Sequence, residues 1–339
     1  MNLSDFNFPF DPSLVAKHPI HPRDHARLLV LNRHEGSIAD RQVKDLPDIL
    51  QPGDLLVVND TKVIPARLCG KKNPSGGRIE LLFVKNIDAT HAEVLINGRV
   101  GIGQMVEFYS SARAQVVAKE PGRTVIHWLG PGTLQEQLHQ HGELPLPPYL
   151  KREPTLRDQE DYQTMFANAE GAVASPTAGL HFTPDLLRAI TGKGIRCATI
   201  TLHVGPGTFQ PVKTQVVEEH TMHPEWFDVS EEVVKQIRET REHGGRVVAV
   251  GTTVARSLES AAIERGEVRS GAGETRLFIL PGFQFKVVDV LMTNFHFPET
   301  TLLMLVSAFA GMETVRNAYA HAVQERYRCY SYGDAMLIE

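Results

Sequence analysis

The sequence has few of the residues that mark secreted or membrane proteins. It contains three cysteines and two tryptophans among 339 residues. Cys69, Cys197 and Cys329 are too far apart to suggest a disulfide framework or a zinc cluster, which favours a reducing compartment, the cytoplasm. The strongly apolar run at 302–310 is about half of the ~20 residues that a membrane helix requires. The first ten residues lack the pattern of a secretory signal, so we expect a cytoplasmic globular protein.

Charge of neither sign dominates the chain as a whole. The 35 Lys and Arg stand against 40 Asp and Glu, which gives a formal net charge of −5. Such mild acidity argues against nucleic acid as a partner, because phosphate contacts come from Lys and Arg. The average conceals a difference, however: residues 71–152 carry ten basic and seven acidic residues, whereas residues 153–339 carry 17 and 24. The middle segment can therefore hold a polyanion.

The middle segment also has its own pattern of secondary structure. Short β-rich runs with Gly, Asn and Pro between them predict five or six strands, at 78–84, 92–96, 105–109, 114–118 and 124–129. No helix is expected before Leu134, so these strands predict a small antiparallel barrel or sandwich. The proline-rich stretch at 145–149 is typical of a domain boundary.

The flanking regions predict an α/β domain. Strands are expected at 27–32, 54–59, 195–204, 246–250, 275–280 and 287–295. Helices are expected after Thr183 and Ser230 and at 252–265 and 313–328. The fold class is therefore an α/β main domain formed by both chain ends, residues 1–70 plus 153–339, with an inserted small all-β, barrel-like domain at 71–152.

Four stretches concentrate polar, glycine and histidine residues near predicted strand ends, at 175–182, 203–209, 250–260 and 330–337. Each also has a purely structural interpretation as a turn, a helix cap or a docked tail. The stretch at 250–260 has the order strand, Gly-Thr-Thr, helix, which can take a phosphate or a carboxylate. It lacks the Lys of a P-loop and the glycine spacing of a dinucleotide fold. His220 and His223 have no third ligand nearby and precede a proline, so zinc is not expected.

The residues alone leave two kinds of function open. One is an enzyme for an adenosine-like or amino-acid-bearing ligand, with histidines as acid or base and the basic β domain on a polyanion. The other is a nucleic-acid-binding or chaperone-like module without chemistry. Clusters of His, Gly and Asn at strand ends favour the enzyme, since a pure binder needs basic and aromatic side chains more than titratable ones.

Taken together, these stretches resemble the S-adenosylmethionine:tRNA ribosyltransferase-isomerase (QueA) family of queuosine biosynthesis. The resemblance follows the family's order along essentially the whole chain. The matching segments are 54–68, 144–149, 162–164, 176–182, 201–211, 251–253, 293–296, 301–311 and 330–337. The chain departs from the family pattern at Ser175, Phe297, Glu299 and the Cys329–Tyr330 pair.

The resemblance implies a transferase reaction. The ribosyl part of S-adenosylmethionine is expected to pass to the aminomethyl group of 7-aminomethyl-7-deazaguanine at the wobble position of tRNA and to isomerise, giving epoxyqueuosine-tRNA with release of adenine and methionine. The tRNAs implied are those for aspartate, asparagine, histidine and tyrosine. The resemblance implies a monomer that uses no metal or other cofactor and does not bind a membrane. Two alternatives remain, a non-catalytic tRNA-binding module and a nucleosidase-like enzyme that cleaves S-adenosylmethionine.

Candidate residues follow from this chemistry. We expect His203 and His181 to bracket the ribose as acid and base, with His223 and His296 in reserve. Thr252, Thr253 and the helix start at Gly251 are expected to receive the methionine carboxylate or a tRNA phosphate, and Asp60 or Asp334 the amine. The remaining predicted substrate-binding residues are Arg27, Asn59, Arg67, Thr177, Gly179, Gly205, Gly207, Thr208, Arg256 and Asn294. The predicted tRNA-binding residues are Lys71, Lys72, Arg78, Lys151 and Arg152.

Overall fold

The computed structural model describes residues 1–109, 112–120, 122–209, 212–263 and 267–339. Three sequence predictions reach outside these residues: the turn at Pro121, the Pro211 end of the segment 201–211, and the Arg265 end of the helix at 252–265. The described part contains one large mixed sheet with helices on both faces and one closed barrel.

The large sheet has nine strands within the described ranges. Their numbers follow the chain, and their order across the sheet is β15 (Gly271–Thr275), β13 (Glu225–Val229), β12 (Arg196–Leu202), β3 (Leu55–Asn59), β14 (Val247–Val250), β16 (Val290–Asn294), β17 (Ala335–Ile338), β1 (Arg27–Leu31) and β2 (Ile38–Gln42).

The centre of this sheet is parallel. β12, β3, β14 and β16 run in one direction, and β17 returns antiparallel to β16. Every residue of β3, β14, β16 and β17 is buried, as expected for strands covered on both faces. The carboxyl ends of β14 and β16 therefore lie side by side, where open α/β sheets place their ligands.

Eight α-helices lie in the described ranges: α1 (Leu46–Ile49), α2 (Leu134–His141), α3 (Asp158–Asp161), α4 (Pro184–Gly192), α5 (Glu231–Glu242), α6 (Thr252–Ala261), α7 (Thr301–Ala310) and α8 (Met312–Gln324). The predicted starts of α4 and α5 are confirmed. Thr183 Oγ1 accepts the Leu186 N–H at 3.1 Å, and Ser230 Oγ accepts the Val233 N–H at 3.3 Å. Both are ordinary N-caps.

The inserted domain is a closed antiparallel barrel of six strands in the described residues. The strands are β5 (Arg67–Asn73), β6 (Arg78–Asn86), β7 (His91–Asn97), β8 (Met105–Glu107), β9 (Arg113–Glu120) and β10 (Arg123–Trp128). The predicted fold class is thus confirmed. The domain limits at residues 70 and 153 stay a prediction, and β5 begins at Arg67.

A short parallel pair, β4 (Thr61–Val63) and β11 (Ala169–Ala172), adjoins the main sheet. β4 follows β3 directly, and its Val63 pairs with Ala172 of β11. This pair brings the chain segment that leaves β11, residues 173–178, to the carboxyl edge of the sheet.

Four predicted elements differ from the structure, and one of them is the helix at 252–265, which ends at Ala261. The strand at 275–280 is wrong, because β15 ends at Thr275. The last helix ends at Gln324 instead of residue 328, and Arg326 beyond it has a left-handed φ of 55°. The terminal stretch at 330–337 ends in β17, a buried strand inside the sheet. Across the described ranges, no helix is both long and apolar enough to span a bilayer.

Candidate functional site

A cavity of about 480 Å³ lies at the carboxyl edge of the main sheet. Its wall is formed by Gly251 and Thr252 after β14, Thr293 and Asn294 at the end of β16, residues 296–302 beyond it, and residues 174–178 after β11. Tyr330 and Ser331, just before β17, complete it. Small-molecule sites commonly have volumes of about 300–1,000 Å³, so this cavity can take a ligand of nucleoside size.

One part of the wall, the charged group, consists of Thr208, Glu225, Thr252, Thr253 and Arg256. Arg256 Nη1 and Glu225 Oε2 form an ion pair, and both residues are more than nine-tenths buried. Arg256 Nε also donates to the Leu277 carbonyl at 3.1 Å. Among the described residues, Arg256 Nη2 and Thr253 Oγ1 find no hydrogen-bond partner. Buried polar atoms of this kind need a partner, and a ligand can supply it.

Another part of the wall, the aromatic group, consists of Tyr149, Tyr162, Ser175, Phe297, Tyr330 and Ser331. The rings of Tyr149 and Tyr330 lie 4.6 Å apart between centroids, and those of Tyr149 and Phe297 lie 5.5 Å apart. The hydroxyls of Tyr149 and Ser331 are hydrogen-bonded to each other. A second cavity of about 50 Å³ borders Thr208, Glu225 and Arg256 of the charged group. The charged group thus adjoins this second cavity, and no member of the aromatic group lines it.

Asn294 connects three walls of the cavity. Its Oδ1 accepts a hydrogen bond from Thr177 Oγ1 at 3.2 Å, and its Nδ2 donates to the Tyr330 carbonyl at 3.0 Å. The same Nδ2 lies 3.2 Å from His181 Nε2. His181 thus lies behind Asn294, next to a separate small cavity. Burial, with a further contribution from Arg328 and Arg23, lowers the pKa of His181 to about 3.

Of the four predicted histidines, His296 is the one on the main cavity wall as far as the structure describes it. Thr293 Oγ1 lies 2.8 Å from His296 Nε2, which leaves Nδ1 for another partner. The His296 backbone N–H donates to the Tyr319 hydroxyl at 2.9 Å and fixes the loop. Burial lowers the pKa of His296 to about 3, so the ring is neutral near pH 7.

His203 lies at the end of β12, in a different environment. Its ring stacks on Trp226 with centroids 5.0 Å apart, and its Nδ1 lies 2.8 Å from Thr61 Oγ1. Burial lowers the pKa of His203, and the nearby Asp60 opposes that shift. Asp60 itself accepts a hydrogen bond from Thr201 Oγ1 at 2.6 Å. The structure therefore does not bring His203 and His181 together around one cavity, and their roles stay predictions.

His223 is exposed and borders the second cavity with His220. It packs against Gly207, where an added Cβ would lie 2.8 Å from the His223 ring. Gly205 donates its N–H to Glu225 Oε1 at 3.0 Å, so the predicted loop at 203–209 supports the charged group. Gly179 packs on Thr164, in the short 3-10 turn that carries Thr177.

Several predicted substrate-binding residues serve the fold. Asn59 bonds to both the N–H and the carbonyl of Leu202, each at 3.0 Å, and so joins β3 to β12. Asp334 accepts the backbone N–H groups of Arg27 and Arg328 at 3.1 and 2.8 Å. The Arg27 guanidinium lies 3.7 Å from the centre of the Tyr327 ring.

Arg67 and Arg152 are also held by acidic partners. Arg67 pairs with Glu143 at 2.7 Å and Glu153 at 3.2 Å. Arg152 is bidentate on the buried Asp158, at 2.7 and 2.5 Å. Lys151 is exposed and has a left-handed φ of 49°. These contacts place Arg152 in the packing of the segment that follows the barrel.

The other predicted tRNA-binding residues lie on the barrel. Lys71 and Arg78 border an open groove of about 730 Å³, together with Tyr109, which is 50% exposed. Lys72 Nζ donates to the Arg99 carbonyl at 3.1 Å. Cations beside an exposed aromatic ring suit a phosphate backbone with an unstacked base.

Sequence reasoning missed most of the aromatic group and Glu225. Tyr149 lies in the proline-rich stretch that was interpreted as a domain boundary, and Tyr330 and Ser331 begin the polar stretch at 330–337. Ser175 begins one of the four polar stretches. Glu225 has no motif around it, and only the pairing of β13 with β12 places it near Arg256.

The comparisons with known proteins agree along the full chain. A family model described as queuosine biosynthesis protein matches residues 3–338. The S-adenosylmethionine:tRNA ribosyltransferase-isomerase of Xanthomonas oryzae pv. oryzae is 48% identical over 345 residues, covering 100% of this chain and 97% of that protein. The protein of the same name from Stenotrophomonas maltophilia is 48% identical over 340 residues, covering 100% and 98%.

A solved structure points the same way. The S-adenosylmethionine tRNA ribosyltransferase of Thermotoga maritima is 36% identical, with a TM-score of 0.57, and the match covers 99% of this chain and 100% of that one. The overall fold is thus shared with a solved protein of this name. The chain belongs to the queuosine biosynthesis family of S-adenosylmethionine:tRNA ribosyltransferase-isomerases.

Proposed function

We propose that this protein transfers the ribosyl moiety of S-adenosylmethionine onto 7-aminomethyl-7-deazaguanine at the wobble position of tRNA and isomerises it, releasing adenine and methionine. The observation that carries the proposal is one cavity with a buried arginine in its charged group and closely packed, inclined aromatic rings in its aromatic group. S-adenosylmethionine has an amino-acid end and a purine end. The family membership does not favour the alternatives, a non-catalytic tRNA-binding module or a nucleosidase-like enzyme.

The charged group suits the methionine end. The α-carboxylate and α-ammonium of methionine sit on one carbon, so their partners must be neighbours. Arg256 Nη2 and Thr253 Oγ1 offer unused donors to the carboxylate at the start of α6, where the helix dipole adds to the attraction. Glu225, paired with Arg256, is the adjacent acceptor for the ammonium. We prefer Glu225 to Asp60 and Asp334 as this acceptor, because Asp60 already accepts a hydrogen bond from Thr201 and Asp334 accepts one from the Arg328 backbone.

The aromatic group suits the purine end. The Tyr149 ring centroid lies 5.5 Å from that of Phe297 and 4.6 Å from that of Tyr330, with the rings inclined to one another, and aromatic rings on a cavity wall can stack with a purine. Tyrosine and serine hydroxyls at the same wall can meet the polar edge of a base. Between the two groups, Thr177 and Asn294 line the wall and offer hydrogen-bonding groups to the ribose.

The reaction requires proton transfers at the ribose. A proton must leave the methylene beside the sulfonium, the acceptor amine must lose one, and departing adenine must gain one. His296 is the predicted histidine whose position suits these steps. Its low pKa keeps the ring neutral, and Thr293 at Nε2 leaves Nδ1 facing other partners. His181 has an indirect role, because the contact between His181 Nε2 and Asn294 Nδ2 orients the Asn294 side chain.

The tRNA is proposed to lie across the barrel. The candidates for phosphate contacts are Lys71 and Arg78 on the groove, Lys72 next to Lys71 in sequence, and Lys151 in the segment that follows the barrel. The wobble base must enter the main cavity to meet the ribose. Anticodon bases are already single-stranded, so turning one out costs little.

We further propose that the tRNAs are those for aspartate, asparagine, histidine and tyrosine. We also propose that the protein acts as a cytoplasmic monomer without a metal or other cofactor.

The test is an incubation of the purified protein with S-adenosylmethionine and tRNA that carries the deazaguanine precursor. We expect adenine to be released together with a new nucleoside at the wobble position, and neither product when the tRNA is left out. Adenine release without any change in the tRNA would instead support the nucleosidase-like alternative. Binding of tRNA without turnover would support the non-catalytic one.

A further inference from the structure

Two hydroxyls of the aromatic group have no hydrogen-bond partner among the described residues. They are Ser175 Oγ and the hydroxyl of Tyr330. Ser175 is 6% exposed and Tyr330 is 7% exposed, and both line the main cavity. The neighbouring hydroxyls of Tyr149 and Ser331 do have a partner, because they are hydrogen-bonded to each other. An unpaired buried hydroxyl is costly, so natural structures rarely keep one without a reason.

The backbone holds Tyr330 in place despite an unfavourable conformation. Its φ is 74°, in the left-handed region that a tyrosine rarely adopts. The Tyr330 N–H donates to the Phe295 carbonyl at 3.1 Å, and Asn294 Nδ2 donates to the Tyr330 carbonyl at 3.0 Å. Strain of this type is concentrated at functional sites, where the surrounding structure imposes it.

The two hydroxyls fit the edge of a purine. Adenine offers acceptor ring nitrogens and a donor amino group, and a hydroxyl can serve either as donor or as acceptor. Burial raises the pKa of Tyr330 far above its usual value, so its hydroxyl keeps the proton that it would donate. Rotation about one torsion moves Ser175 Oγ between staggered positions, and Ser175 itself lines the cavity wall.

We propose that Ser175 and Tyr330 bind the polar edge of the adenine ring of S-adenosylmethionine and that their hydroxyls find their partners there. This inference rests on the proposed function and adds two binding residues to it. In this arrangement the adenine ring is held by stacking and by its edge, while the methionine end is held separately by the charged group.

The experiment compares Ser175→Ala and Tyr330→Phe with the wild type. Each variant removes one hydroxyl oxygen and keeps the rest of the side chain. The matched control is Thr164→Val, because Thr164 Oγ1 is equally buried and unpaired in the described structure but Thr164 is not on the cavity wall. The measurements are the equilibrium affinity for S-adenosylmethionine, the inhibition constant of methionine alone, and the melting temperature of the free protein.

We expect each cavity variant to bind S-adenosylmethionine about 3- to 10-fold more weakly, the effect of one neutral hydrogen bond. Methionine should inhibit them as it inhibits the wild type. Their melting temperatures should equal the wild-type value or exceed it by ~1–3 °C, since an unpaired buried hydroxyl has been removed. Thr164→Val should leave both affinities unchanged.

Three outcomes would overturn the inference: wild-type affinity for S-adenosylmethionine in both cavity variants, an equal loss of affinity for methionine, or a loss of affinity accompanied by a fall in melting temperature. A failure of the proposed function looks different. In that case the wild type itself would neither bind S-adenosylmethionine nor release adenine in the presence of precursor tRNA.

Discussion

At the scale of single residues, His296 and His203 offer a matched test of where the chemistry occurs. In His296→Gln the amide can replace Nε2 as the partner of Thr293, but the ring nitrogen Nδ1 is lost. In His203→Asn the amide can replace Nδ1 as the partner of Thr61. We expect His296→Gln to slow single-turnover product formation by about 10² to 10⁴, the usual loss of acid–base catalysis. His203→Asn should change it a few-fold. If His203→Asn slowed the reaction more than His296→Gln, the result would show that the chemistry occurs at His203 and Asp60.

The buried His181 makes stability depend on pH. Burial lowers the pKa of His181 to about 3, so the folded protein keeps the ring neutral. The unfolded chain binds a proton below about pH 6.5, and acid therefore favours unfolding by about 1.4 kcal/mol per pH unit between these two values. Urea unfolding should show that His181→Gln loses about 2 kcal/mol less stability than the wild type between pH 7 and pH 5. Parallel losses would show that the pKa of His181 in the folded protein does not differ from its value in the unfolded chain.

At the scale of elements, the start of α6 sets the geometry of the charged group. Gly251 has φ 97° and ψ 153°, a conformation open to glycine alone among ordinary residues. Gly251→Ala should therefore lower the free energy of unfolding by about 1–3 kcal/mol and weaken S-adenosylmethionine binding, because Thr252 and Thr253 shift with the turn.

Gly192 at the end of α4 is the matched control for that change. An added Cβ there meets nothing within 4 Å, and its φ is not in the left-handed region. Gly192→Ala is expected to be neutral or to stabilise by up to about 1 kcal/mol in the same chemical denaturation. Equal destabilisation by both changes would remove the special role of Gly251.

The same elements show which parts of the fold can be predicted from sequence patterns. Helix starts at Thr183 and Ser230 and the short strands of the barrel were predictable, because capping residues and alternating apolar residues act locally. α7 was not predicted, because its ten residues are nearly all buried and leave no polar face. β17 was not predicted either, since only its partners β16 and β1 make a terminal segment a central strand.

The candidate site was predictable to the same extent. The Gly-Thr-Thr turn and Asn294 lie on the cavity because strand ends of a parallel sheet converge. Tyr149 and Glu225 reach it through long-range packing and strand pairing, which no local spacing encodes. His203 and His296 both follow strands, and only their side-chain environments separate them.

At the scale of the whole molecule, the distribution of charge is the reason that we propose the barrel as the site of the nucleic acid. The net charge of −5 is an average over a basic middle segment and an acidic carboxyl-terminal part. The segment that leaves the barrel also carries Tyr149 to the cavity wall. A tRNA held on the barrel can thus place its anticodon beside the bound S-adenosylmethionine.

Reversing two barrel charges tests that arrangement. The double change Lys71→Glu and Lys72→Glu should weaken tRNA binding and reduce the dependence of log affinity on log salt by about 1 to 2, since each phosphate contact contributes about 0.7 to 0.9. The control is Lys235→Glu on α5, whose ammonium lies 3.9 Å from Glu239 on its own helix. Unchanged affinity and slope in the double variant would place the tRNA elsewhere.

We propose that the cavity at the ends of β14 and β16 holds S-adenosylmethionine between its charged and aromatic groups. The most direct measurement is a crystal structure of the protein with S-adenosylmethionine bound. We predict the carboxylate within hydrogen-bond distance of Arg256 Nη2 and Thr253 Oγ1, and the adenine ring stacked in the aromatic group. A ligand bound beside His203 and Trp226, or one with its two ends exchanged, would contradict the account.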